Sequence, residues 1–276
     1  LIDNGDIDIC IRIISENLNN DSNKYLEEIR KEIVEIRKCG VLNNLYDTNR
    51  FSILKIKDKE TEVEIDMTMH TMLNIKNTEM LRFYSLYDQR FHILGIFMKF
   101  FVKKNHINGA NEKFLSSYAL LILIVHFLQN TQPVILPHLQ EISNNIEAHI
   151  YYHGEKELKT NLYFEKNIDI INQYMNKINE GKENNSSIGE LLVEFLEFYC
   201  YKYEQHYLIS ISKREKKYVE DNNNIAFPLD DPFDIDYNPG KSMKIDTFQY
   251  YVFEYCIKKE LNNILSGEYF NINQNG

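Results

Sequence analysis

Apolar and polar residues alternate close to the start of the chain. In residues 5–11 three isoleucines alternate with Asp6, Asp8 and a cysteine, and this period of two predicts a β-strand. Successive side chains of a strand point to opposite faces, so Asp6 and Asp8 share one face while the isoleucines share the other. The pattern therefore predicts a strand with one apolar face and one acidic face.

A second alternating stretch predicts a β-hairpin. Residues 51–57 and 62–67 alternate on either side of a charged turn. Asp66 is expected on the outward face of the second strand, because the apolar positions of that strand alternate with it. If this strand lies beside the first strand of the chain, Asp66 joins Asp6 and Asp8 in a cluster of three carboxylates.

Apolar residues recur at helical spacing through most of the remaining chain. Residues 21–38, followed by Gly40, predict a helix between the first strand and the hairpin. Strand, helix and hairpin make a small α/β unit that ends near Asn77. Beyond Asn77 the apolar spacing is helical, and we predict no further sheet. The helices predicted there cover residues 79–87, 91–104, 115–129, 168–178, 188–203 and 246–265.

The composition indicates a globular, intracellular protein. The 276 residues are 43% hydrophobic, and 31 Lys and Arg against 41 Asp and Glu give a net charge of −10. No overall basic character therefore marks the chain as a nucleic-acid binder. The cysteines Cys10, Cys39, Cys200 and Cys256 are scattered, without a C-x-x-C pair, which indicates reduced thiols. The most apolar run, residues 119–125, is too short to span a bilayer.

Clustered carboxylates are typical of a metal site. Asp6 and Asp8 repel each other unless a positive charge lies between them, and oxygen ligands of this kind suit hard cations such as Mg²⁺. With Asp66 beside them, two metal ions can activate an attacking oxygen and neutralise a leaving phosphate. The alternative interpretation is a solvated edge strand with an Asx turn.

Two lysines form a second candidate site. Lys99 and Lys103 are four residues apart, so they project from the same face of a helix and can neutralise the phosphates of a nucleotide. Lys99 lies within the largely apolar residues 95–102, where a merely solvated lysine is less expected. The alternative is a pair of lysines that reach solvent from the edge of a packed helix.

Three further polar segments each have a structural and a functional interpretation. Ser117 and Tyr118 open the buried helix, where a serine can bind an anion and a tyrosine can either stack on a base or join the core. Asn77 and Thr78 either cap a helix or bind a ribose. Residues 229–241 form a proline-bearing loop, dense in acceptors, that either contacts the edge of a base or makes an ordinary turn.

The order of these motifs resembles one protein family. In sequence order the motifs are Gly5-Asp6-Ile7-Asp8, Ile65-Asp66, Asn77-Thr78, Tyr87-Asp88-Gln89-Arg90, Lys99 with Lys103, Leu115-Ser116-Ser117-Tyr118, Pro133-Val134-Ile135-Leu136-Pro137, Ile188-Gly189-Glu190-Leu191-Leu192 and Asp231-Pro232-Phe233-Asp234. This succession resembles the non-canonical poly(A) polymerases and terminal uridylyltransferases, within the DNA polymerase β-like nucleotidyltransferase superfamily. The resemblance covers nearly the whole chain, and its specificity lies in the order and spacing of the motifs.

The resemblance implies an α+β fold of two lobes. Residues 1–77 would form a small mixed-sheet nucleotidyltransferase lobe, and residues 78–276 a larger all-helical lobe, the central or poly(A) polymerase-associated lobe. The active site would lie in the cleft between the lobes. The family carries a Gly-Ser pair upstream of the paired aspartates, so we expect the first lobe to be truncated at its N-terminus.

The resemblance also implies a role for each candidate residue. The catalytic residues, which would hold two Mg²⁺ ions or alternatively Mn²⁺, are Asp6, Asp8 and Asp66. The resemblance implies that Lys99 and Lys103 contact the triphosphate, with Ser117 beside them. It implies that Tyr118 contacts the base and that Asn77 with Thr78 contacts the ribose. The loop residues implied to lie near the base or the sugar are Asp231, Asp234, Tyr237 and Asn238.

The reaction implied by the resemblance is template-independent transfer of UMP from UTP to the 3′ end of a single-stranded RNA, with release of pyrophosphate. Uridine-selective members often carry a histidine where this chain has Tyr237, and other members lack it. UTP is therefore only slightly favoured, and addition of AMP from ATP is the alternative. An inactive scaffold of the same fold, which binds RNA or a protein, is the alternative from another class. The acidic composition suggests a recruiting protein partner. We expect an intracellular protein without membrane contact, with the cytoplasm favoured and the nucleus or the mitochondrion as alternatives.

Overall fold

A computed structural model describes residues 7–11, 22–37, 45–47, 52–57, 61–69, 72–153, 156–204, 206–220 and 224–267. The chain divides into two compact units. The first unit comprises Leu1–Asn77 and Ala148–Asn161, and the second comprises Thr78–Glu147 and Leu162–Gly276. Helices and small sheets are both present, so the α+β class predicted from the sequence is confirmed.

The first unit contains a four-stranded mixed sheet. Its strands are β1 (Ile7–Ile11), β2 (Leu45–Asp47), β3 (Ser52–Lys57) and β4 (Glu64–Met69), and helix α1 spans Ser22–Arg37. The strand order is β1-β4-β3-β2, in which β1 runs parallel to β4 while the other neighbours are antiparallel. The strands β3 and β4 form the hairpin that the alternation predicts. The second strand of this hairpin lies directly beside the first strand of the chain.

One face of this sheet packs against α1. Leu26 of α1 forms a buried cluster with Leu54, Ile56 and Met69, none of which is more than 4% exposed. Ile65 of β4 packs against the same cluster. Burial of each aliphatic side chain contributes about 1.5–3 kcal/mol, so these alternate positions hold the sheet on the helix. The residues between them therefore point to the opposite face of the sheet.

A second hairpin lies where the sequence predicts no strand. Strands β5 (Ala148–His153) and β6 (Lys156–Asn161) pair in antiparallel register and belong to the first unit. The expectation that no sheet follows Asn77 is therefore wrong for this segment. The less exposed face of the hairpin carries His149, Tyr151, Leu158 and Thr160, whereas Ile150, on the opposite face, is 51% exposed. Because polar residues share the inner face and an isoleucine lies on the outer face, the sequence lacks the clear apolar period of two on which strand prediction depends.

Helices follow the first sheet along the chain. They are α2 (Met72–Tyr87), α3 (Gln89–Lys104), α4 (Ser117–Gln129), α5 (Ile168–Ile178), α6 (Ile188–Glu197) and α7 (Phe248–Leu265). α5 has the bounds that the sequence predicts, whereas α2 begins earlier than predicted. The helix predicted to reach residue 203 instead changes to a π-helical turn at Phe198–Lys202.

The core of the second unit is centred on α4. Leu120, Ile122, Leu123, Ile124 and Val125 are each at most 2% exposed, as expected for a helix that is apolar on all sides. The side chain of its N-cap residue, a serine, accepts a hydrogen bond from a backbone N–H of the first turn. Within the described part of the chain, no helix has the combination of length and apolar character that crossing a membrane would need.

Candidate functional site

The carboxylates of the first unit lie on neighbouring strands. Asp8 of β1 is in register with Asp66 of β4, and Asp66 is in register with Lys55 of β3. Residues in register on adjacent strands project from the same face, and the strands are about 4.8 Å apart. Because Ile65 packs on the α1 side of the sheet, this row of three charged side chains lies on the face away from α1.

Lys55 is the counter-ion of Asp66. Its Nζ donates a hydrogen bond of 2.6 Å to Oδ2 of Asp66, whose side chain is 20% exposed. The cation therefore lies beside Asp66, on the side opposite to Asp8, and compensates the charge of that carboxylate. The oxygen donors of Asp8 and Asp66 also fit a hard divalent cation, which would compete with the lysine for Asp66.

The third predicted ligand, Asp6, lies outside the described residues. Within the described ranges no three His, Cys, Asp or Glu side chains form a group that could hold a metal ion. The described part of the site is therefore a pair of carboxylates with a lysine beside them.

The lysine pair of the second unit lies on α3. This helix contains no acidic residue, and its last turn carries Lys103 and Lys104. Lys99 is half-buried, Lys103 is exposed, and neither forms an ion pair with a described side chain. Both ammonium groups are therefore available to an anion such as a triphosphate.

Asp231 forms the centre of the predicted recognition loop. Its carboxylate is 3% exposed and accepts hydrogen bonds from the backbone N–H groups of Phe233 (3.0 Å) and Asp234 (2.9 Å). These bonds form the Asx turn that the sequence allows here. The other carboxylate oxygen accepts a hydrogen bond of 2.9 Å from the hydroxyl of Tyr118 on α4. The loop and the start of α4 are thereby joined.

Burial dominates the electrostatics of this pair. Desolvation raises the pKa of Asp231, although its hydrogen bonds to Phe233, Asp234 and Tyr118 act in the opposite direction. Desolvation and then the negative charge of Asp231 raise the pKa of Tyr118 well above its ordinary value. Asp234 and Tyr237 are also close enough to raise the Tyr118 pKa. The structure therefore gathers Tyr118, Asp231, Asp234 and Tyr237 in one place.

Asn238 closes the recognition loop. Its side-chain oxygen accepts hydrogen bonds from the backbone N–H of Leu229 (3.1 Å) and of Gly240 (2.8 Å). A Cβ at Gly240 would lie 1.9 Å from the carbonyl oxygen of Phe227, so only glycine allows this approach. Lys241 places its Nζ 5.3 Å from the centre of the Tyr237 ring, a cation–π contact.

The remaining predicted residues lie on helices. Asn77, which is buried, and Thr78, which is exposed, lie inside α2 rather than at its start. The interpretation of this pair as a helix cap is therefore wrong, because the helix begins at Met72. Ser117 is exposed in the first turn of α4, next to Tyr118.

Two supporting residues were not identified from the sequence. The Gln140 side-chain amide donates a hydrogen bond of 2.8 Å to the carbonyl of Pro232 and so anchors the recognition loop. Lys55 could have been found from the hairpin, because its strand pairs with the strand that carries Asp66. No local pattern marks Gln140, since its partner lies far away in the sequence.

The chain is similar in sequence to known proteins. Residues 1–86 match the family described as "Poly(A) RNA polymerase, mitochondrial-like, central palm domain". The chain is 29% identical over 252 residues to human Terminal uridylyltransferase 7, which covers 86% of this chain and 16% of that protein. It is 30% identical over 172 residues to rat Poly(A) RNA polymerase GLD2, which covers 60% of this chain and 31% of that protein. The chain thus spans less than a third of either relative.

The fold is also found in a solved structure. A mutant of the Cid1 poly(U) polymerase bound to MgATP superimposes with a TM-score of 0.77 at 20% sequence identity. The match covers 95% of this chain and 77% of the Cid1 chain. Nearly the whole chain therefore adopts the fold of that polymerase.

Proposed function

Because the chain belongs to the family of the non-canonical poly(A) polymerases and terminal uridylyltransferases, we propose that it adds nucleotides to the 3′ ends of RNA without a template. The observation that carries this proposal is the register of Asp8 with Asp66, which joins two carboxylates from distant parts of the chain. In this proposal the first unit carries the catalytic carboxylates, and the second unit binds the nucleotide.

Asp8 and Asp66, together with Asp6, are proposed to hold two Mg²⁺ ions, or Mn²⁺ in their place. Bound there, the metal supplies activation of the RNA 3′-hydroxyl and charge neutralisation at the triphosphate. Lys55 holds the Asp66 carboxylate through its 2.6 Å hydrogen bond and compensates part of the negative charge. The proposal is supported by the MgATP in the similar Cid1 structure.

The second unit is proposed to bind the nucleotide through charge and stacking. Lys99 and Lys103 neutralise the triphosphate, with Ser117 nearby. The Tyr118 hydroxyl is engaged by Asp231, so the orientation of the tyrosine ring is held while its face can stack on a base. Stacking of a base on an aromatic side chain contributes about 1–3 kcal/mol.

Polar groups of the second unit are proposed to select the base and hold the sugar. Asp234 and Tyr237 offer polar groups to the base edge, and the Asn238 amide lies in the same loop. Asn77 and Thr78 are proposed to contact the ribose.

We favour UTP slightly as the substrate, and ATP is the second candidate. The similarity to Terminal uridylyltransferase 7 supports addition of UMP, and the similarity to Poly(A) RNA polymerase GLD2 supports addition of AMP. A tyrosine at position 237 can hydrogen-bond to either base, so it does not favour one of them.

The proposed partners follow from charge and chemistry. Because the net charge of the chain is −10, we expect single-stranded RNA to contact it only at local sites, and weakly. A protein partner that recruits the RNA would compensate for this weak contact. Cys200 and Cys256 are free thiols, which supports a cytoplasmic location.

Extension of a labelled single-stranded RNA tests the proposal. The natural full-length protein is incubated with Mg²⁺ and each of the four NTPs in turn, beside the variants Asp66→Asn and Glu64→Gln. Glu64 lies on the same strand and face as Asp66 but is exposed, so Glu64→Gln is a matched control. We expect extension with UTP, or with ATP if the second candidate is right, and a loss of at least about a hundredfold in Asp66→Asn only. Equal activity of the two variants would refute the proposal.

A further inference from the structure

A cavity of about 230 Å³ lies in the second unit, and neither Tyr118 nor the acidic turn of the recognition loop lines it. Five of its lining side chains are aromatic, and a sixth is a carboxylate. These lining residues are Tyr199, Tyr203, Phe227, Tyr250, Phe253 and Glu254. None of them belongs to the nucleotide site proposed above.

Hydrogen bonds outside the cavity fix two of its aromatic walls. The Tyr199 hydroxyl donates to the carbonyl of Leu123 (2.9 Å) and also contacts Nδ1 of His126 (2.9 Å). The Tyr203 hydroxyl donates to the carbonyl of Tyr207 (2.8 Å). These hydrogen bonds hold the two rings in place, so each presents a fixed aromatic ring to the cavity.

The aromatic rings also hold one another. Tyr203 and Phe227 are stacked, with centroids 5.8 Å apart and planes at 28°, and Phe227 meets Phe253 edge to face at 5.9 Å. Tyr199 lies in the π-helical turn that follows α6, and Tyr203 is the residue that caps the end of this turn. Turns of this type are frequent at functional sites. The walls of the cavity are therefore aromatic rings that contact one another.

Glu254 adds a carboxylate to the cavity, and Lys258 lies beside that carboxylate. Nζ of Lys258 lies 2.9 Å from Oε1 of Glu254, and the same ammonium lies 5.6 Å from the centre of the Tyr201 ring. The Glu254 carboxylate retains lone pairs that can accept an N–H donor, and each of the four RNA bases carries at least one such donor. The ammonium beside it suits a phosphate. Aromatic walls, an acceptor and a neighbouring cation together match a nucleotide unit.

We infer that this cavity binds one unstacked base of the RNA substrate, upstream of the reacting 3′ end. The inference rests on the proposed function, because it takes single-stranded RNA as the ligand. Aromatic rings bind bases in this sequence-tolerant way in proteins that bind single strands. The cavity would hold the body of the RNA, while the carboxylate and lysine sites act on its 3′ end and on the NTP.

Binding of a 15-nucleotide RNA, measured without NTP by fluorescence anisotropy, tests this inference. Tyr250 lines the cavity, whereas Tyr255 lies on the same helix, is 64% exposed and does not line it. Tyr250→Ala is expected to weaken RNA binding roughly tenfold, and Tyr255→Ala by less than about twofold. Tyr250→Phe keeps the ring and should keep the affinity. The KM for the NTP should be the same in all three variants.

Photocrosslinking gives an independent measurement. RNAs that carry a single 4-thiouridine at successive positions are bound to the wild-type protein, irradiated, and the adducts mapped by mass spectrometry. We expect one internal position to crosslink to Cys200 or Tyr250, both of which line the cavity. Cys200→Leu places a larger side chain in the cavity and should therefore weaken RNA binding. This variant provides a second test of the cavity if Tyr250→Ala does not fold.

The inference is overturned if Tyr250→Ala and Tyr255→Ala bind RNA equally well, or if no internal position crosslinks to the cavity. Extension assays on the same preparations separate this failure from failure of the proposed function. RNA extension without crosslinks in the cavity would refute only the cavity site. Crosslinks in the cavity without extension by any NTP would refute only the proposed reaction.

Discussion

Replacing Tyr118 by phenylalanine removes a single hydroxyl group from the centre of the second unit. That hydroxyl donates a 2.9 Å hydrogen bond to Asp231, whose carboxylate is 3% exposed. A hydrogen bond to a charged group contributes about 1.5–3 kcal/mol to stability. When the group that loses its partner is buried, the cost lies towards the upper end of this range. We therefore expect Tyr118→Phe to lower the free energy of unfolding by about 2 kcal/mol at pH 7.

A matched control exists in the same unit. The Tyr251 hydroxyl donates a 3.0 Å hydrogen bond to Asp246, but the Tyr251 ring is 53% exposed. Because water can replace this bond, Tyr251→Phe should leave the free energy of unfolding nearly unchanged. The same group is removed from the same kind of partner, so burial is the principal difference between the two variants.

The pH dependence of the loss adds a second criterion. The Tyr118 hydrogen bond lowers the pKa of Asp231 relative to its value in Tyr118→Phe, because it stabilises the ionised carboxylate. A contribution of this sign is present above the pKa and is lost as the pH falls through it. The difference between wild type and Tyr118→Phe should therefore be largest near neutral pH and shrink in acid.

Urea-induced unfolding, followed by circular dichroism between pH 4 and pH 7, measures both effects. The free energy of unfolding is compared at equal m-values, so that the variants expose the same surface. Equal losses in Tyr118→Phe and Tyr251→Phe would refute the reasoning, because burial of Asp231 would then have no energetic consequence. A loss that does not change with pH would show that the ionised carboxylate is not the acceptor.

Three further outcomes follow from the site and the core. Lys99→Ala should raise the KM for the NTP by about tenfold to a hundredfold in a steady-state assay, whereas Lys104→Ala, on the same helix, should change it little. Gly240→Ala should lower the free energy of unfolding in urea by about 2 kcal/mol or more, because its Cβ would lie 1.9 Å from the Phe227 carbonyl oxygen; wild-type stability would contradict this. Burial lowers the pKa of His138 from 6.5 to about 4, so the folded state favours the neutral ring and loses stability as the pH falls below 6.5. At pH 5.5 this loss is about 1.4 kcal/mol, and His138→Asn should remove it from the pH profile of unfolding.

The strands of the first unit could be predicted because each has one apolar face. Residues 52–57 and 64–69 alternate clearly, and their short connection makes the antiparallel hairpin the simplest pairing. The parallel pairing of Asp8 with Asp66 is different, because it joins segments separated by a helix and the hairpin turn. Alternation of apolar and polar residues is compatible with this parallel pairing but does not require it. From the sequence alone, the carboxylate cluster could therefore be predicted only if the two strands are neighbours.

Contacts between distant residues account for most of what the sequence did not show. The turn from Asp231 to Asp234 follows from local residue types, since aspartate readily accepts bonds from the backbone just after it. The bond from Tyr118 to Asp231 and the bond from Gln140 to Pro232 depend on how helices and loops pack. The hairpin at 148–161 was missed for a different reason: its inner face carries His149 and Thr160, and Ile150 lies on its exposed face, so apolar and polar residues do not alternate with the two faces.

A metal exchange at position 66 tests the central claim most directly. Asp66→Cys replaces a hard oxygen ligand by a soft thiolate, which binds Mg²⁺ poorly but accepts softer ions such as Cd²⁺. If Asp66 holds the metal, RNA extension by Asp66→Cys should be lost in Mg²⁺ and recovered in part when Cd²⁺ is added, while Glu64→Cys is unaffected in Mg²⁺. Full activity of Asp66→Cys in Mg²⁺ alone would contradict the claim that this carboxylate is a metal ligand in catalysis.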